Sequence, residues 1–155
     1  MSQLVDTRAF PTGDNLDYES EHELRGLEAL RTEAWRYLHT YSWNPPIADL
    51  VLAFGVAPIL ALFLARREPG ARPEDAERWV VVGNLPSMHF ETDDTPTPAL
   101  ALRLYCAIAQ DWADNVLAGR DLSESYPIPV APTPELAENL LGRIDFIRTK
   151  LIPLA

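Results

Sequence analysis

The chain has 155 residues, 47% of them hydrophobic and 23% charged, which is a globular composition long enough to bury a core without disulfides or a structural metal. Its single cysteine, Cys106, excludes an intramolecular disulfide framework and any multi-cysteine zinc site. With 13 basic against 23 acidic residues the formal charge is −10, which disfavours nucleic acid and anionic membrane surfaces and favours steering toward a basic protein partner.

Residues 1–19 are polar and turn-rich, with Pro11, Gly13, Asp14 and Asn15, and read as an N-terminal arm on a single globular domain, 20–155. No basic start followed by an apolar run is present, so the arm reads as no secretory signal and the protein as cytoplasmic. Ser20-Glu21-His22-Glu23 has the capping-box form. Leu24, Leu27, Leu30, Ala34, Trp35, Leu38 and Tyr41 then follow at steps of three and four, predicting an amphipathic helix from about 21 to 41. Trp43-Asn44-Pro45-Pro46 ends it.

Residues 47–65 are almost wholly apolar, Asp49 being their one charge. Hydropathy alone makes them a membrane-span candidate, but the run is short and the other helices need a protein core. They are therefore expected to form a central buried helix, kinked near Phe54-Gly55 by Pro58. A charged connector, 66–78, leads to Trp79-Val80-Val81-Val82, the clearest strand signal. Gly83 to Ser87 turn the chain, and Met88 to Thr92 could return as the second strand of a hairpin. Thr97-Pro98 starts a helix carrying Leu100, Leu104, Tyr105, Ile108, Trp112 and Val116, with Gly119 as its stop. Thr133-Pro134 starts another, with Leu136, Leu140, Ile144, Ile147 and Leu151 as its apolar stripe. The expected fold is α+β and mostly α: about four main helices around the buried apolar helix, with a small hairpin near 79–92.

Chemical signatures are sparse. There is no phosphate-binding glycine loop, no Gly-x-Ser-x-Gly elbow, and no metal pattern joining His22, His39 and His89. Neither a cofactor nor a metal is expected. Cys106 lies beside an apolar helical stripe and reads as a buried structural thiol. The densest group of possible ligands is His89-Phe90-Glu91-Thr92-Asp93-Asp94, where alternate residues would share one strand face. The same carboxylates, Glu91, Asp93 and Asp94, together with Asp111 and Asp114, make an acidic surface suited to a basic partner. The aromatics Trp35, Tyr41, Trp43, Trp79, Tyr105 and Trp112 read mainly as core, with some as interface anchors.

The run Trp79-Val-Val-Val-Gly-Asn-Leu-Pro-Ser, then Thr97-Pro98-Ala99 through Tyr105-Cys106, Trp112, Gly119 and Thr133-Pro134, resembles a group of small uncharacterised bacterial proteins. The resemblance covers about the C-terminal half and consists of structural punctuation. In size, acidity and lack of chemistry the chain is also similar in type to immunity proteins that neutralise bacterial toxins, without a residue match. The functional expectation is a non-enzymatic binding module, an acidic inhibitor that sequesters a basic partner. The alternative is an enzyme of unrecognised type built on His89, Glu91 and Asp93.

Overall fold

The computed structural model describes Val5, Thr7, Arg8 and residues 21–155. Ser20 and most of the arm expected over 1–19 lie outside the described residues. The chain divides into two compact units between Pro98 and Ala99.

The first unit is one helix on a four-stranded sheet. Helix α1 (Glu21–Leu38) buries Leu27, Leu30, Ala34 and Leu38 of the expected stripe, whereas Trp35 on the helix, and Tyr41 beyond its end, are exposed. Strands β1 (Ile47–Val56), β2 (Leu60–Arg67), β3 (Glu77–Gly83) and β4 (Met88–Glu91) follow as an antiparallel meander in the order β1-β2-β3-β4. A short 3₁₀ turn, Pro73–Asp75, separates β2 from β3.

This overturns the expected arrangement of four main helices around a buried apolar helix. Residues 47–65 form a hairpin of β1 and the greater part of β2, and Pro58 lies in its turn after a cis Ala57–Pro58 bond. The misreading has a physical cause. Ala61, Phe63 and Ala65 pack toward α1 with Val80 and Val82 of β3, while Leu60, Leu62, Leu64, Trp79 and Val81 on the opposite face are also buried. A strand covered on both faces loses its alternation and reads as a continuous apolar run, as a buried helix does. The stretch read as a separate hairpin, 79–92, is the second half of the same sheet. Among the described residues no helix is long and apolar enough to cross a membrane.

Two of the close approaches are set at Gly26 and Gly83. A β-carbon on Gly26 of α1 would meet the Ala57 methyl at 2.6 Å, so the helix rests directly on the β1–β2 turn. Gly83 has φ +137°, and a β-carbon there would run into the Ile59 carbonyl, the group to which the Asn84 amide donates at 2.9 Å.

The second unit holds α2 (Pro98–Leu117) and α3 (Pro134–Phe146). Helix α2 buries Leu102, Tyr105, Cys106, Ala109 and Trp112. It stops at Gly119, φ +68°, where the Arg120 amide reaches back to the Asn115 carbonyl. Thr133 caps α3, its hydroxyl accepting from the Leu136 amide at 3.3 Å. The buried stripe of α3 runs through Ala137, Leu140 and Ile144 and continues to Ile147 and Leu151 in a π-helical turn. Leu136, expected on that stripe, is exposed.

Candidate functional site

The densest grouping of polar and aromatic side chains in the first unit forms where α1 ends. The helix leaves carbonyls without intrahelical partners, and local groups satisfy them. The Trp43 indole N–H donates to the Leu38 carbonyl at 2.7 Å, and the Thr40 hydroxyl donates to that of Tyr37 at 2.7 Å. Trp43 thereby folds the chain back over the end of its own helix, ahead of the cis Asn44–Pro45 bond. The Pro45 carbonyl is held by Arg67 at the end of β2, whose Nε donates to it at 3.0 Å.

His89 of β4 occupies the middle of this cluster. Its ring centroid lies 4.6 Å from Tyr41, 5.5 Å from Trp43 and 5.8 Å from Tyr37. Tyr37 and Tyr41 meet edge to face at 5.7 Å. The guanidinium carbons of Arg67 and Arg78 stand 5.5 and 5.8 Å from the Trp43 ring, within cation–π range. Arg78 Nε donates to His89 Nδ1 at 2.9 Å. A guanidinium has no acceptor, so Nδ1 carries the lone pair and the proton of the neutral ring sits on Nε2. Burial, and secondly the adjacent Arg78 charge, lower the His89 pKa to about 4. Near neutral pH His89 is therefore an uncharged aromatic support with its Nδ1 occupied, under a Tyr41 ring that stays 47% exposed.

The acidic residues expected to act together separate into two groups. Glu91 ends β4, opposite Arg78 in the ladder. Asp93 and Asp94 are the central residues of a turn closed by the Thr95 amide donating to the Thr92 carbonyl at 3.1 Å. All three are exposed and make no side-chain hydrogen bond or ion pair among the described residues. Thr92 and Thr95, which flank the two aspartates, are buried, so the turn is anchored while its carboxylates face water. Asp111 and Asp114 belong to α2 in the other unit. There Asp111 accepts from the Ser125 hydroxyl at 3.1 Å and Asp114 accepts from Gln110 at 3.0 Å.

The alternative grouping of His89, Glu91 and Asp93 is not assembled. Strand β4 ends at Glu91, so the turn carries Asp93 off the shared strand face, and Arg78 already occupies His89 Nδ1. Among the described residues no group of three or more His, Cys, Asp or Glu side chains is placed to hold a metal ion. Cys106 is buried, and that burial pushes its thiol up to about 11.

Sequence reasoning missed Arg67 and Arg78 because both were assigned to the connector 66–78. The available signal was the alternation of Arg78 and Val80 with Trp79 and Val81, which extends the strand backwards and puts Arg78 on the face of Val80. Comparison of the chain with known protein families, curated proteins and solved structures found no match.

Proposed function

We propose that this chain is a non-enzymatic protein-binding module that recognises a basic partner through the surface around β4. The observation that carries the reading is the state of Glu91, Asp93 and Asp94: three exposed carboxylates, without side-chain partners among the described residues, on an anchored strand end and turn. One carboxylate there suffices to complement the nearby N-terminus of α2. The others leave negative charge at the surface for a cation of the partner to meet. The half-exposed Tyr41 ring, supported by His89, adds an aromatic contact of the kind that supplies affinity, while the carboxylates steer encounter. Asp111 and Asp114 hold internal hydrogen bonds and contribute through overall charge. Inhibition of a basic toxin, the immunity-type role, is the finer form of this proposal.

The test starts with affinity capture from the native host and identification of the retained protein. Association is then followed for the parent, for Tyr41→Ala, and for a variant combining Glu91→Gln, Asp93→Asn and Asp94→Asn, over a range of salt. The triple variant should associate more slowly and lose most of its salt dependence, and Tyr41→Ala should dissociate faster. A partner that binds all three proteins equally fast and tightly overturns the reading.

A further inference from the structure

The two edges of the sheet are protected unequally. Strand β4 is four residues long, carries His89 and Glu91, and is followed at once by Asp93 and Asp94. Short length and charge are the usual means of keeping an edge from pairing with another chain. Strand β1 is ten residues long, Ile-Ala-Asp-Leu-Val-Leu-Ala-Phe-Gly-Val, and among the described residues is bonded within the sheet only on its β2 side. Its one charge is cancelled from inside: Arg66 of β2 donates to both oxygens of Asp49, at 2.9 and 2.8 Å. Among the described residues this edge of the sheet is thus long, apolar and locally neutral in a protein of formal charge −10.

We infer that this edge pairs with the same edge of a second copy, joining two sheets into one of eight strands. Three features favour a copy as the occupant. The Asp49–Arg66 pair lets two strongly acidic chains meet at a seam without like charges facing across it. Antiparallel pairing of identical edges is isologous and closes, so one contact removes both open edges. The pattern of β1 is also self-complementary. Register shifts at Ala48 and Ala53 leave Asp49–Leu52 as a regular segment. Leu50 and Leu52 point to the α1 side, and Val51 points to the other. Residues directly opposite in an antiparallel pair share a face, so Leu50 must oppose a residue of its own kind. A two-fold axis through Val51 meets this condition over residues 50–52: Val51 faces Val51 of the second copy, and Leu50 faces its Leu52. The two α1 helices then cover the same side of the continuous sheet.

The axis makes the test specific. The parent should sediment at twice the 17.4 kDa monomer mass. Val51→Lys and Val51→Glu each place like charges across the axis, and each should weaken self-association by roughly tenfold. Mixed in equal amounts, the two variants should recover the dimer as a heterodimer, because Lys then faces Glu. If either variant fails to fold, amide exchange on the parent decides the matter: β1 amides should lose protection on dilution while β3 amides keep theirs. A parent that is monomeric at all concentrations overturns the inference. So does a dimer that persists in both single variants with β1 exchange independent of concentration, since it would be formed elsewhere; a mixture that stays monomeric while both folded variants are monomers overturns the two-fold register.

Discussion

The indole N–H of Trp79 donates to the carbonyl of Thr95 at 2.7 Å, tying the buried centre of β3 to the turn that presents Asp93 and Asp94. Trp79 is fully buried, and Thr95 is buried with it. The turn that carries the proposed binding carboxylates is therefore tied from inside the core by a fully buried side chain.

Trp79→Phe keeps most of the ring and removes the donor. The Thr95 carbonyl is left buried without this bond, at a cost of about 1–3 kcal/mol. Denaturant unfolding should show a lower midpoint with an unchanged slope. The Thr95 amide, which closes the turn onto Thr92, should exchange faster than in the parent. Equal midpoints and equal exchange would show that the bond does not anchor the turn.

His89 makes stability depend on pH in a defined window. Its folded pKa is lowered to about 4 from an ordinary value near 6.5, so between these values the unfolded chain binds more protons. The stabilisation is complete above pH 6.5 and is lost as pH falls toward 4. Partial exposure screens the effect, leaving about 1–2 kcal/mol. His89→Asn, whose amide oxygen can still accept from Arg78, lacks this titration. The difference in unfolding free energy between parent and variant should shrink in the parent's disfavour from pH 6.5 to 4 and stay level above 7. A pH-independent difference over that range would remove His89 from the account.

Gly83→Ala tests the turn between β3 and β4. Alanine would adopt φ +137° only under strain, and its methyl would run against the backbone of Ile59. The expected loss is about 1–3 kcal/mol in thermal or denaturant unfolding. Gly119→Ala is the control: its φ is also positive, but nothing lies within 4 Å of a β-carbon there, so the smaller loss expected comes from backbone strain alone.

What could be read before folding depended on how local the signal was. The buried part of the α1 stripe, Leu27 to Leu38, the glycine stop of α2 and the Thr133-Pro134 start of α3 are set by residues within one or two turns of each other, and each occurs where its pattern lies, while Trp35 and Tyr41 of the expected stripe are exposed. The run from Ile47 to Ala65 offered no such arbitration. Burial on both faces of β2 erased the period that separates strand from helix, and Pro58 marks a turn between two strands as readily as a kink in a helix. The three carboxylates of the proposed site were legible because they are nearly contiguous. The ring cluster beneath Tyr41 was not, because Tyr37, Trp43, Arg67, Arg78 and His89 come from five stretches that only the sheet register brings together.

The tie between Val5 and Glu77 links a backbone contact at Val5 to proton binding on β3. The Val5 amide donates to Glu77 Oε1 at 2.9 Å, across 72 positions of chain, onto a side chain only 7% exposed. Burial already raises the Glu77 pKa, and the Val5 bond works against that rise. Drawing Val5 away while Glu77 stays covered removes one counterweight and leaves only the Arg66 charge as the other, so the carboxyl takes up a proton more readily. Loss of the Val5 bond and protonation of Glu77 are then thermodynamically coupled: acid favours the broken bond, and the intact bond favours the ionised carboxylate.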